Sequence, residues 1–418
     1  MAGHLIFRSA ILVVASSLFL YVWGFRIVHA PTPRFENPAL HLNDATAPVF
    51  KASFASRGET PEVHASTAYA HRKDGLTAFW YGGTREGAAD VAIYRARLDG
   101  SEWDKAQMVV DRQKMKADLG RHIRKLGNSI VYQHPGGRLW LFFVTVSVGG
   151  WAGSSISLIE SVDNGRTWST ARRLVTSPFF NLSTLVKGSA FRYADGTIGL
   201  PVYHEFLGKF GELLRLDANA QILDKTRFTS GRRALQPEIA IISPDKAVGL
   251  LRYAGEPLRR VLHMTSDDAG RSWSEPQKID VPNPDSALDV LAIGKNRMIA
   301  VLNDMDHARN RLTLAVSDNL GRDWRTIEVL EHEEDKSDIH RFQFSYPWLL
   351  RSANGDYHVL YTWNKTRIKH VHFNQRWLDG KIQSPVAPSA RSSVPDMAHS
   401  AGQPTANREQ PAAPGVMR

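Results

Sequence analysis

The octet Ser161-Val162-Asp163-Asn164-Gly165-Arg166-Thr167-Trp168 constrains this chain more than any other stretch, because it recurs. Its form is S-x-D-x-G-x-x-W. Ser266-Asp267-Asp268-Ala269-Gly270-Arg271-Ser272-Trp273 repeats it, and Ser317-Asp318-Asn319-Leu320-Gly321-Arg322-Asp323-Trp324 repeats it with Asn319 in place of the aspartate. Each copy holds the parts of a tight hairpin turn. A short side-chain oxygen accepts backbone N–H groups, glycine takes φ > 0 without a steric penalty, and tryptophan gives the loop something large to bury.

The gap from Trp168 to Trp273 is about twice that from Trp273 to Trp324, so one unit is degenerate. Arg215–Ile222 fills it, keeping Asp217, with left-handed-tolerant Asn219 where glycine belongs and Ile222 for the tryptophan. Trp103 after Gly100 and Trp377 after Asn374 extend the ladder outward. Six evenly spaced units of about four short strands predict an all-β chain, a six-bladed β-propeller. The runs between the turns agree. Leu76–Trp80, Leu139–Val146, Thr197–Val202, Met298–Leu302 and Tyr357–Trp363 are apolar, and each follows a turn dipeptide or a polar break. The basic stretch Gln113–Leu126 reads as a helix inserted between the first two units, which lengthens that step.

The ends differ from this body. Ala10 to Phe25 is an uncharged apolar run between Arg8 and Arg26, and Pro31 disfavours cleavage after Val28-His29-Ala30. Residues 1–30 are therefore expected to be an N-terminal membrane anchor or signal segment, with the rest of the chain outside the cytoplasm. Residues 31–50 read as a Pro-rich linker, 51–380 as the propeller, and 381–418 as a disordered Pro/Ala/Ser-rich tail. The net charge is +10, yet no basic run interleaved with aromatics marks a nucleic-acid module, so no nucleic-acid partner is expected. The chain has no cysteine, which excludes disulfides, thiolate-bound zinc and a thiol nucleophile. His204-Glu205 lacks the second histidine of a zinc protease, and no glycine loop for phosphates occurs. No metal or cofactor is expected.

The S-x-D-x-G-x-x-W element resembles the Asp box of sialidases. Further motifs extend the resemblance over residues 60–375: His64-Ala65-Ser66-Thr67, Phe79-Trp80-Tyr81-Gly82-Gly83-Thr84-Arg85-Glu86-Gly87, Asp90-Val91-Ala92-Ile93, Leu235-Gln236-Pro237, Pro282-Asn283-Pro284-Asp285-Ser286, Asn303-Asp304, Phe344-Ser345-Tyr346-Pro347 and Tyr361-Thr362-Trp363-Asn364. Together they are similar to the bacterial BNR-repeat branch of the sialidase (neuraminidase) superfamily. The resemblance implies an exo-glycosidase acting on a terminal acidic or polar sugar of a glycan outside the cell or in the periplasm. It also implies that the Asp boxes lie on the rim away from the site.

Sialidases depart from the two-carboxylate scheme by using tyrosine as nucleophile. A carboxylate on the reacting carbon of the sugar repels an anionic nucleophile, whereas a phenol stays neutral until a base takes its proton. By resemblance Tyr346 is the nucleophile, Glu238 its partner and Asp90 the acid. Arg252 and Arg309 would clamp the substrate carboxylate, with His64, Arg85 and Glu86 as further substrate-binding residues. Sialidases open the first blade with F/Y-R-I-P, but Glu62-Val63-His64-Ala65 has no arginine, so His64 is the polar residue left there and Arg85 a substitute from the next strand. Two alternatives stay open: a carbohydrate-binding propeller without catalysis, and a polysaccharide lyase in which a Tyr346–His64 pair abstracts a proton.

Overall fold

A computed structural model describes residues 9–21, 33–37, 47–71, 75–177, 181–231, 233–256, 258–335 and 337–384. The expected tail from 385 onward, residues 1–8 and 22–30 of the expected anchor or signal segment, and residues 31–32 and 38–46 of the expected linker lie outside the described residues. A helix, α1, occupies residues 9–21. Among the described residues no helix is long and apolar enough to cross a membrane.

Six antiparallel sheets make six blades. Blade 1 runs Glu62–Ala70, Leu76–Gly83 and Ala92–Asp99, with Glu102–Trp103 and Gln107–Val110 both outermost. Blade 2 is Lys125–Gln133, Leu139–Val146, Ser154–Ser161 and Arg172–Arg173. In blade 3 the inner strand is broken into Leu185–Val186 and Phe191–Arg192, both paired with Ile198–His204, followed by Phe210–Leu216 and Ile222–Arg227. Blade 4 is Ala234–Ile241, Ala247–Tyr253, Arg260–Ser266 and Gln277–Pro282. Blade 5 is Asp289–Ala292, Met298–Leu302, Arg311–Ser317 and Arg325–His332.

Blade 6 takes three strands from the C-terminal part, Phe344–Arg351, Tyr357–Trp363 and Arg367–Phe373. Its outermost strand is N-terminal Phe50–Phe54, in register from Phe50↔Phe373 to Phe54↔Lys369. This joins the two ends of the propeller chain in one blade and so closes the ring. Trp377 is therefore not a hairpin-turn residue. It lies in helix α3, Gln375–Gln383, N-capped by Asn374, and stacks on Phe50 at 4.6 Å between ring centroids. Asn374 also binds Ala47 and Val49, so one side chain ties the helix start to the closing strand.

The second strands explain themselves. Each is sandwiched between two neighbouring blades, so both faces are buried and the sequence reads as a continuous apolar run. Leu139–Val146 (LWLFFVTV) and Leu76–Gly83 are buried at every position. Outer strands such as Ile222–Arg227 carry the polar residues.

The three Asp boxes close the turn from third to fourth strand. In the first, Ser161 Oγ accepts Gly165 N–H at 2.9 Å while the Asp163 carboxylate takes the N–H groups of Arg166 and Thr167. Asn164 and Gly165 both have positive φ. Trp168 packs edge-to-face on Phe79 of blade 1, and Trp273 on Phe228 of blade 3, so each box fastens its blade to the one before. In the degenerate unit the left-handed residue is Ala220 (φ 54°), not Asn219, and Asp217 accepts Asn219 and Gln221 N–H. The inserted helix, α2, covers Arg112–Leu119 and stops at Gly120 in the left-handed region; from Lys125 the chain is already inner strand. The expected linker is partly docked: Phe35 stacks on Tyr193 and Arg34 pairs with Asp245, joining blades 3 and 4.

Candidate active site

Asp boxes sit where third strands end. The opposite face is formed where inner strands begin, second strands end and third strands begin, and the sequence-predicted site residues other than Glu238 lie there. Four of the six inner strands share a local device. Their pairing skips between His64 and Thr67, Leu126 and Ser129, Leu235 and Glu238, and Ser345 and Trp348. Ala65, Gln236 and Tyr346 each take positive φ (52°, 50° and 53°) at these bulges. Such conformations are costly for residues other than glycine and persist where the surroundings enforce them. Here the bulge re-aims one residue per blade. It is held from outside: Thr362 Oγ1 accepts the Ala65 N–H at 3.0 Å.

The bulges bring Tyr346, Gln236 and His64 together. Gln236 Nε2 lies 3.4 Å from the Tyr346 hydroxyl and 3.4 Å from that of Tyr203. Arg252 Nη1 donates to Gln236 Oε1 at 3.1 Å, which fixes the amide with its NH₂ toward the phenols. His64 meets Tyr346 edge-to-face at 4.5 Å between ring centroids and Tyr81 edge-to-face at 5.7 Å. Its Nδ1 is buried with no hydrogen-bond partner.

Two arginines complete the cluster. Arg252 Nε donates to the Asp285 carboxylate, and Arg309 Nη2 to the Asp285 backbone carbonyl at 2.7 Å. Asp285, itself at φ 55°, thus orients both. Burial works against the Arg252 charge, but Tyr346 and Asp285 more than offset it and hold its pKa up. Burial and the neighbouring Arg252 push Arg309 down. Burial, then Arg309, Lys365 and Arg252, lower His64 to about 3, so its imidazole is neutral at ordinary pH. The result is a half-buried positive seat beside a phenol, suited to an anionic group.

Other expected residues are placed differently. Glu238 is not the group at the Tyr346 hydroxyl. It points to the axis, where Oε1 accepts Lys187 Nζ at 2.5 Å and Oε2 accepts Ser189 N–H at 3.1 Å. Gln236, two residues earlier and on the bulge, is what reaches the phenol. Asp90 is exposed on the 84–91 loop of the same face. Its carboxylate accepts the Thr84 hydroxyl and N–H, and the hydroxyl bond holds it below the usual carboxylate range. Arg85 and Glu86 are exposed on that loop; the Glu86 N–H binds Glu62, and the Glu86 charge reaches Tyr81 and Arg309. Among the described residues no group of His, Asp or Glu could hold a metal ion.

Sequence reasoning passed over Gln236, Asp285, Lys365, Tyr81, Tyr203 and Lys187 as site residues. Gln236 and Asp285 lie inside quoted motifs, but only the bulge and the two arginine contacts give them roles. The arginine pair yields a direct expectation. With its side chain bonded only to a carbonyl among the described residues, Arg309→Gln leaves the melting temperature close to wild type. Because Arg309 is a member of an acid-binding pair, the substitution is expected to weaken binding of a sugar acid, tested with N-acetylneuraminic and glucuronic acid, by about 10–100-fold, the equivalent of one charge-assisted hydrogen bond. Isothermal titration of both proteins checks this; equal affinities would remove Arg309 from the site.

The BNR repeat-like domain matches residues 74–359, more than half of the chain. No curated protein matches the sequence. Among solved structures, a Hadza microbial sialidase aligns with TM-score 0.64 at 15% identity, over 78% of this chain and 68% of that one. The NanB sialidase of Streptococcus pneumoniae aligns with TM-score 0.58 at 10% identity, over 81% and 72%. An α-L-arabinanase of Penicillium chrysogenum, complexed with arabinobiose, aligns with TM-score 0.57 at 13% identity, over 83% and 99%. At these identities the likeness concerns the fold, which hosts more than one glycosidase activity, so substrate must be argued from the site. By the repeat match and the six-bladed architecture, the chain belongs to the BNR repeat-like domain family.

Proposed function

We propose that this protein is a sialidase-like exo-glycosidase that removes a terminal acidic sugar from a glycan outside the cytoplasm. The observation that carries the reading is the pair Arg252 and Arg309, both oriented by Asp285 beside Tyr346. A sugar carboxylate seated on the two guanidiniums brings its anomeric carbon toward the phenol. The neutral phenol approaches that anionic substrate without the repulsion a carboxylate would meet. Asp90, on the 84–91 loop, would serve the leaving oxygen after its carboxylate is released from Thr84 and takes up a proton. The apolar run that includes α1 supports placement at a membrane, and a glycan substrate in turn calls for the propeller on its outer side.

One observation favours a second reading. An amide, Gln236, occupies the place beside the hydroxyl where the tyrosine mechanism calls for a base. A propeller that holds acidic glycans without cleaving them fits that amide.

A release screen separates the two. With 4-methylumbelliferyl glycosides of N-acetylneuraminic and glucuronic acid, the wild type is expected to release fluorophore. Tyr346→Phe should lose about 10³-fold or more in kcat while still binding the free sugar acid. Equal release by both proteins would exclude Tyr346 as nucleophile. Binding without release by the wild type would leave the second reading.

A further inference from the structure

A tyrosine nucleophile has to lose a proton, and the groups around Tyr346 narrow where it can go. Gln236 is oriented by Arg252 so that its NH₂ faces the hydroxyl. It can steady a phenolate but cannot accept a proton. The carboxylates are engaged elsewhere: Glu238 with Lys187 and Ser189, Asp285 with Arg252, Asp90 with Thr84. Glu86 is exposed on its loop.

His64 remains. Its ring lies against the Tyr346 ring at 4.5 Å, its Nδ1 is buried without a partner, and the charged groups around it are Arg252, Arg309 and Lys365. Tyr81 also packs edge-to-face on it. The backbone on both flanks is fixed: Val63 N–H binds the Lys365 carbonyl and Ala65 N–H binds Thr362. An imidazole left unpartnered in a buried position is costly unless something uses it.

We propose that His64 takes the proton from the Tyr346 hydroxyl when an acidic sugar occupies the Arg252–Arg309 pair. The inference rests on the glycosidase reading above and names the base which that reading lacks. The O–H bond of Tyr346 breaks and its proton passes to a ring nitrogen of His64. The oxygen lone pair forms a bond to the anomeric carbon as the bond to the leaving oxygen breaks, and that oxygen is protonated by the acid on the 84–91 loop. In the second half, water attacks the anomeric carbon and gives a proton to the carboxylate on the 84–91 loop, which restores the acid, while the tyrosine oxygen leaves and takes back the proton held by His64. In the free protein no hydrogen bond joins the two rings; the contact must tighten on substrate entry, as apo catalytic contacts commonly do.

The cations explain why the base acts only with the right substrate. Arg252, Arg309 and Lys365 disfavour an imidazolium at His64. A carboxylate seated on the arginines cancels part of that field, so an acidic sugar strengthens the base that activates its own nucleophile. A neutral sugar does not.

The test is His64→Gln, assayed with the 4-methylumbelliferyl glycosides beside wild type and Tyr346→Phe, with melting curves confirming that each is folded. Loss of about 10²–10⁴-fold in kcat is expected, with KM within about twofold. Added imidazole should restore part of the rate in His64→Gln and none in Tyr346→Phe, a response that a packing role would not give. Wild-type turnover with Tyr346→Phe inactive and His64→Gln at full rate overturns this inference and leaves the glycosidase standing. A product bearing a conjugated double bond also overturns it, because His64 would then be removing a ring proton. Absence of any wild-type turnover overturns the glycosidase reading and this inference together.

Discussion

Lys187→Met should unfold at markedly lower urea than the wild type, with a loss of about 3–5 kcal/mol, the cost of stripping one partner from a buried ion pair. Lys187 reaches the axis because the inner strand of blade 3 breaks directly after Val186. Its ammonium is almost fully buried and joins four blades. It donates to Glu238 Oε1 of blade 4, to the Leu288 carbonyl at 2.6 Å beside blade 5, and to the Pro347 carbonyl at 3.0 Å in blade 6. Asp289, 4.0 Å from the ammonium, is the second carboxylate it serves, and is itself held by Val290 and Leu349 N–H groups. Removing the lysine leaves two buried carboxylates and two carbonyls without their cation. The double variant Lys187→Met/Glu238→Gln should be more stable than the single one, because one orphaned charge is gone; a double-mutant cycle measures that coupling. A lysine variant within about 0.5 kcal/mol of wild type would show the axis to be wet.

The same residue shows where legibility in the sequence ends. Turn chemistry is local: Ser161, Asp163, Gly165 and Trp168 make their contacts within a few residues, or with the next blade, and the spacing of such turns fixed the blade count. What covers the outer edge of blade 6 is not local. Phe50 pairs with Phe373 across almost the whole chain, so Trp377 was aligned to a turn when it belongs to a helix packed on the closing strand. Nor does the turn motif say which residue goes left-handed once its glycine is gone, and Ala220 does so instead of Asn219. At the site, Tyr346, Arg252, Arg309 and His64 are gathered on the expected face. Glu238 was misread because a bulge inserts a residue without any change in composition. Gln236 swings to the phenol and Glu238 to the axis, where Lys187, in a broken strand with no apolar period, had no pattern to announce it.

Acidification offers a second large effect, centred on a stack of histidines in blade 6. His358 and His372 face each other across neighbouring strands at 4.8 Å between ring centroids, with His370 stacked on His358 at 5.2 Å. His358 Nδ1 lies 3.0 Å from His370 Nε2, and its Nε2 is 3.2 Å from Ser352 Oγ. The Ser352 hydroxyl is itself a donor toward Asn354 and Asp356, so His358 Nε2 carries a proton, and Nδ1 is the acceptor from His370. Protonating Nδ1 would break that bond inside the blade. Burial and then the His372 charge lower His358 to about 3, while burial, His358 and His372 lower His370. An unfolded histidine titrates near 6.5. Between those values the unfolded chain binds the extra proton, so this contribution is complete above about pH 6.5 and is lost as pH falls toward 3. For His358 the loss at pH 5 is about 2 kcal/mol, from about 1.5 pH units at 1.4 kcal/mol each. Glu238 works in the opposite direction. Burial and Asp289 raise it against the pull of Lys187, so acidification toward the unfolded value near 4.5 adds stability at that site. The total slope is therefore a difference, and the histidine part is isolated by His358→Asn. Urea unfolding of both proteins at pH 7 and pH 5 should show the variant losing about 2 kcal/mol less than wild type on acidification. Parallel losses would mean that His358 is already charged in the folded blade, and that the stacked rings hold a proton which their hydrogen bonds leave no room for.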